Sequence, residues 1–260
     1  MNTWTSRRDD VEDLDVDRVA MPVVARFMDT GRGLGAQAGR PLTATPAGRT
    51  LDAGARAILE GVMPRWGPDP TSLNTYDVQT ERLHVDLPRV DDAPQLYSLV
   101  GGDRRQEISA TLLWDGPDEL ADVEDWVERC RTMPYEDWGL HWVLRDRVGS
   151  IGEPGHVLGA IGITPRGAPG RADVGYWLGR PYWGSGLMAE ALAGVLDLWF
   201  TSLGGHKIEA DVFTHNVRGR RLVEKLGMQQ EGVIRHAHLK RGEWVDAAVY
   251  GMRADEWQPT

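Results

Sequence analysis

Between a strand-like run over Ala172 to Leu178 and a long amphipathic pattern from about Leu187 stands the segment R-P-Y-W-G-S-G-L-M-A, Arg180 to Ala189. Gly184 and Gly186 fall at the mouth of the expected helix. Glycines there let the backbone turn sharply and approach a ligand closely. The first N–H groups of the helix have no intrahelical partner and suit a phosphate or pyrophosphate. A glycine pair alone does not choose among phosphate-bearing ligands.

The flanking patterns narrow the fold. Arg82 to Leu87, Trp138 to Leu144, His156 to Ile163 and Ala172 to Leu178 read as strands, with helices over Asp91 to Val100 and Pro117 to Arg131. Met188, Ala191, Leu192, Val195, Leu196, Trp199 and Leu203 hold helical spacing after the glycines. A strand (Ile208 to Phe213), a helix (Arg218 to Leu226) and two strands (Gly232 to Leu239, Trp244 to Met252) follow. Strands outnumber helices, which predicts an α+β fold with a mixed, strongly twisted central sheet and flanking helices. Gly184, Gly186 and Ala189 also satisfy G-x-G-x-x-A, with Glu209 downstream as a ribose-binding acid. Against a dinucleotide fold, Gly179 to Trp183 intervene between strand and first glycine, and too little chain follows for further βα units. No G-K-[ST] follows, so a P-loop is excluded.

The N-terminal part reads differently. Residues 1–79 form an extension, charged at its start, with a loop-like stretch from Gly31 to Gly48. Leu51, Ala55, Ile58, Leu59 and Val62 predict one short helix over about 50–63, closed by Pro64. Its apolar face needs a partner, either the main domain (80–260) or a second subunit in a homodimer. A net charge of -10 argues against nucleic acid as partner and suits a cationic one. Cys130, the only cysteine, excludes an intrachain disulfide framework and a cysteine-rich zinc site. No leader-like or membrane-length apolar run is found, which predicts a cytoplasmic protein without membrane contact.

Y-W-L-G-R-P-Y-W-G-S-G-L-M-A-E-A-L, with T-E-R-L-H-V and T-L-L-W before it and N-V-R-G-R-R-L-V-E-K-L-G-M-Q-Q-E-G after it, resembles the GCN5-related N-acetyltransferase (GNAT) family. The likeness is greatest to its ribosomal-protein N-terminal acetyltransferase (RimJ/RimL-like) branch and covers roughly Thr80 to Met252. It implies an acetyl-CoA-dependent enzyme, with the pantetheine arm pairing along Tyr176, Trp177, Leu178 and Gly179. The pyrophosphate would rest on Gly184, Ser185, Gly186, Leu187 and Met188, behind Trp183. Asn216 would contact the pantetheine arm or cap its helix, and Arg221, with Arg220, would meet nucleotide phosphates or water. Met188 is larger than the family's usual residue.

The implied reaction is direct attack by a primary amine, of a small molecule or a protein N-terminus, on the acetyl thioester in a ternary complex. Leu178 would offer its backbone N–H to the oxyanion. His238 is the favoured base, because histidine titrates near neutrality, and Asp173 the alternative. His236 and His238 alternate as two ligands would, but no third lies near in sequence, so no metal is expected. The helix position often occupied by Ser in this branch is Gly219, and the Tyr position of other branches is Val223, neither of which donates a proton. That leaves the acid unassigned, with Tyr250 a candidate, and motivates the rival reading of a catalytically weak acyl-CoA-binding module. Trp114, Trp126, Trp138, Trp142 and Trp244 are candidates for a pocket wall or for core.

Overall fold

The computed structural model describes residues 76–133 and 135–259. The helix expected over 50–63 and almost all of the extension lie outside the described residues. Strands β1 (Val78–Gln79) and β2 (Leu83–Asp86) lead into helices α1 (Ala93–Val100), α2 (Arg105–Ser109), α3 (Leu120–Thr132) and α4 (Tyr135–Trp138). Then come β3 (Leu140–Asp146), β4 (Val157–Pro165), β5 (Arg171–Leu178), α5 (Leu187–Asp197), β6 (Lys207–Phe213), α6 (Val217–Lys225), β7 (Gln229–Lys240) and β8 (Glu243–Arg253). Eight strands make one mixed sheet in the order β1-β2-β3-β4-β5-β6-β8-β7. The expected fold class is therefore found.

Alternation along the strands divides the core between the two faces of this sheet. Leu144, Ile161, Val174, Ile208 and Ala210 pack with α5 residues Leu187, Ala191, Leu192, Val195 and Leu196. Val143, Ala160 and Trp177 pack on the other face against Leu96 of α1 and Val123, Trp126 and Val127 of α3. Trp114, Trp126, Trp138 and Trp142 are thus core, while Trp244 is 59% exposed. Trp138 ends α4 rather than beginning a strand, because Gly139 at φ +93° breaks the chain direction. A Cβ there would stand 2.3 Å from the Ile163 carbonyl oxygen, so only glycine fits.

Buried polar contacts fix how the first strands meet the helices. Arg145 on β3 donates to Asp86 of β2 (2.5 Å) and, through two nitrogens, to Asp92 before α1 (2.7 and 2.6 Å). Pairing of this kind is what a buried guanidinium requires. Asp146 accepts from five backbone N–H groups between Val148 and Gly152, which shapes the β3–β4 turn. Burial alone would raise its pKa, but these donors hold the carboxyl below the usual carboxylate range.

The feature that makes a site is a split. All neighbouring strands are antiparallel except β5 and β6, which run parallel and pair only from Arg171–Lys207 to Asp173–Glu209. Beyond that point β5 follows β4 up to Leu178, and β6 follows β8 up to Phe213. The sheet opens between them.

Candidate active site

The glycine segment sits at the open end of the split. After β5 a single 3-10 turn, Arg180–Tyr182, carries the chain to Trp183, whose indole N–H donates to the Leu178 carbonyl (2.6 Å). Gly184 (φ +78°) and Gly186 (φ +81°) take left-handed conformations, Gly186 as the residue before the first turn of α5. Nothing lies within 4 Å of where a Cβ on Gly184 would stand, so this glycine serves the backbone turn and leaves open space beside it. Arg82 braces the turn from outside. It donates to the Ser185 carbonyl (3.1 Å) and to Glu190 Oε2 in α5 (2.7 Å). Glu190 also accepts from the Arg82 backbone (2.8 Å) and from Thr80 Oγ1. These bonds outweigh partial burial and hold its carboxyl below the usual range.

A cleft of about 430 Å³ opens over this cradle. Tyr176, Trp177 and Leu178 form one wall, and Trp183, Gly184, Gly186, Leu187 and Met188 form its head. Asn216, Gly219 and Arg221 face them from α6, and Ile108, Thr111 and Leu112 cover it from the α2 segment. Gly179 and Ser185, expected here, are not in the lining. Gly179 turns its N–H to Leu158 on β4 (2.8 Å), and the Ser185 hydroxyl donates to the Tyr182 carbonyl (2.5 Å). Met188 is accommodated because its side chain belongs to the core.

The backbone direction along β5 follows from the Gly179 bond. Successive backbone groups of a strand point to opposite edges. With Gly179 directed to β4, Leu178 and Tyr176 direct their N–H and C=O groups to the edge that β6 has left. The Leu178 carbonyl meets Trp183 there, whereas Tyr176 lies beyond the last paired residue, Asp173. The cleft continues downward past Tyr176, Thr111, Leu112 and Asn216 into a narrow recess of about 40 Å³ between the strands.

Among the described residues, Asp211 is the one charged residue in the recess lining. It projects from β6 on the same face as Glu209 and Phe213, and Arg166 reaches it at 3.3 Å. That guanidinium also pairs with Asp173, while Glu209 pairs with Arg171 (2.7 Å). Asp173 is therefore locked in an ion pair and lines neither cavity. Burial pushes its pKa up to about 7, against the pull of Arg166 and with Asp211 and Glu209 adding to the rise. His238 is half-buried beside the recess, its ring 5.8 Å from that of Phe213. Burial lowers its pKa below the ordinary histidine value and Asp211 draws it partly back.

His236 does not join His238. A bulge between Ile234 and His238, with φ +50° at His236, sends the His236 ring onto Trp244, stacked at 6.0 Å. Among the described residues no group of three or more candidate metal ligands occurs. Tyr250 is not at the cleft either. Its hydroxyl donates to Glu224 (2.6 Å) and accepts from Arg220 (3.0 Å), which also takes Arg220 away from the cleft. Asn216 caps α6 by accepting from the Gly219 N–H (2.9 Å) and still lines both cavities. Val223 is fully buried.

Three charged residues at the site were not expected from sequence. Asp211 had a signal, as one of two acids, with Glu209, alternating onto one face of the strand Lys207–Phe213. Arg218 and Lys225 share the cleft-facing side of α6 with Arg221, at three- and four-residue spacing that marks one helix face. Arg218 also lies 5.1 Å over the Trp183 ring, and Arg180 lies 4.6 Å over it.

Comparison with known proteins agrees with this geometry. A sequence profile of the acetyltransferase (GNAT) domain matches residues 82–229, more than half of the 260-residue chain. An uncharacterised N-acetyltransferase, p20 of Bacillus licheniformis, is 33% identical over 108 residues, covering 41% of this chain and 61% of the relative. The ribosomal protein uS5 alanine N-acetyltransferase of Escherichia coli is 31% identical over 94 residues, covering 36% of this chain and 48% of the relative. Mycobacterium smegmatis RimJ, solved in complex with CoA-disulfide, superposes with a TM-score of 0.59 at 24% identity, over 67% of this chain and 83% of that one. Among the described residues no helix is long and apolar enough to cross a membrane. With the split parallel pair, the glycine cradle and the profile in agreement, the chain belongs to the GNAT family of N-acetyltransferases.

Proposed function

We propose that this protein transfers an acetyl group from acetyl-CoA to a primary amine, of a small molecule or a protein N-terminus, in a ternary complex. The observation that carries this is the unpaired edge of β5, which leads from an open glycine cradle to a recess holding a carboxylate. The residues present fit the coenzyme. Backbone N–H groups at Gly184 to Met188 and the positive end of α5 would hold a pyrophosphate. Arg218, Arg221 and Lys225 would meet the nucleotide phosphates, and the exposed edge at Tyr176 would pair with pantetheine amides like an added strand. Bound there, acetyl-CoA supplies an activated acyl thioester.

The chain's own groups supply the rest. The N–H of Leu178, or of Tyr176 deeper in the split, is directed where an oxyanion would need a donor. Asp211 attracts the acceptor, as an ammonium ion, to the mouth of the recess. His238, neutral near pH 7 because burial lowers its pKa, takes the proton on to solvent. Asp173 keeps Arg166 in place and so positions Asp211. The uS5 enzyme's alanine acceptor makes peptides with a free N-terminus one class to test.

Gly219 and Val223, which offer no acid, support a second reading as a weakly catalytic acyl-CoA-binding module. Calorimetry with acetyl-CoA and thiol release across a panel of amines and free-N-terminus peptides separate the two. Binding with acceptor-dependent release supports the transferase, and binding without any release supports the module. No binding overturns both.

A further inference from the structure

The recess between β5 and β6 ends abruptly, and, Asp211 apart, what lies at its end differs from its walls. Val174, Ala210, Val212 and Phe213 line it and are all at most 7% exposed, so two strands of the sheet make its sides rigid. Its volume is about 40 Å³. At roughly 10–15 Å³ for each water-sized occupant, it has room for about three non-hydrogen atoms, which is the size of an acetyl group. Below Val174 the strands close again at Asp173–Glu209. There the ion-paired Arg166, Asp173 and Glu209 sit instead of further apolar side chains.

From this we infer that the recess measures the acyl group: it admits acetyl and rejects longer chains, with Leu113 and Val174 as the residues that set the limit. The inference rests on the coenzyme reading above, in which the acyl end of the pantetheine arm points past Tyr176. Each added methylene meets either a strand backed by the core or a cluster of charges that would lose its mutual solvation without gaining a partner. Leu113 is the wall most easily moved. It is half-buried, lies in the irregular segment between α2 and α3, and belongs to neither core cluster.

The test needs no acceptor. CoA, acetyl-CoA, propionyl-CoA and butyryl-CoA are titrated calorimetrically into the full-length protein, with Leu113→Ala and Val174→Ala alongside. Butyryl-CoA is expected to bind wild type about tenfold or more weakly than acetyl-CoA, with propionyl-CoA between them. In Leu113→Ala the gap should shrink to roughly threefold or less. Val174→Ala gives the same shift from the opposite wall, and circular dichroism checks that both variants fold. Butyryl-CoA binding as tightly as acetyl-CoA in wild type would overturn the inference and leave the coenzyme reading standing. So would a gap that persists in both folded variants. Absence of binding by CoA and all three thioesters would instead overturn the coenzyme reading, and the filter with it.

Discussion

Arg82 and Glu190, 108 residues apart in sequence, meet through a 2.7 Å bond that ties the β1–β2 turn to the first turns of α5. The glutamate of the glycine motif thus acts on the cradle's support, which leaves the backbone N–H groups for the proposed coenzyme. Glu190→Gln should lower stability by about 1 kcal/mol and weaken acetyl-CoA binding several-fold, read by thermal melts and calorimetry. The folded carboxyl is held below its unfolded value, so its contribution is complete above the unfolded pKa of about 4.3 and lost as pH falls through the folded one. The variant should therefore lose part of the wild type's acid sensitivity below about pH 4.5.

At Gly219, where the resemblance leads one to expect serine, the structure supplies a steric reason for glycine. A Cβ would lie 2.7 Å from Asn216 Nδ2 and 3.0 Å from Val212 Cγ1. Gly219→Ser should push Asn216 from its capping position, cost about 1–2 kcal/mol and reduce coenzyme affinity. Gly219→Ala should do nearly the same, because the clash belongs to the Cβ. A serine variant with higher turnover and unchanged stability would contradict this account.

For the proton route, Asp211→Asn should lower turnover by about 100-fold or more while acetyl-CoA affinity stays nearly constant. The wild-type rate should fall with acid through a pKa below the ordinary histidine value, since a protonated His238 cannot accept. His238→Ala should lower turnover and remove that limb. An unchanged pH–rate profile in His238→Ala would assign the route to water.

His141 gives a prediction about the fold. It is fully buried, and its Nε2 donates to the Trp138 carbonyl (2.9 Å). Burial lowers its pKa to about 4. Between that value and about 6.5 the unfolded chain binds the proton more readily, so stability falls as pH drops across this window, by up to about 3 kcal/mol. Urea titrations at neutral pH and near pH 5 should show the loss. His141→Gln, less stable at neutrality, should show a smaller one.

What could be read from sequence was whatever local pattern encodes. The switch from β5 to the helical spacing of α5, and Asn216 opening α6, identify the cradle because neighbouring residues alone determine them. The α2 segment has no such signature. Five residues without apolar periodicity are held by distant groups: Glu107 by Arg180 (2.5 Å) and Ser109 by Arg241 (2.7 Å). The separation of His236 from His238 was hidden for a related reason. Period-two alternation predicts a shared face, and a bulge changes the phase without a composition signal. Asp173 looked available because pairing with Arg166 depends on the turn between β4 and β5.

The turn between β7 and β8 brings Lys240 to the Trp114 carbonyl (2.8 Å) and to Asp115 (2.5 Å), and Arg241 to Ser109. These contacts span more than 120 residues, and the profile match ends at residue 229, before most of this hairpin. The segment that roofs the cleft is therefore held by contacts that form only once β7 and β8 are in place. On the ribosome, competence to bind the proposed coenzyme should appear only after the β7–β8 hairpin has emerged, as one event.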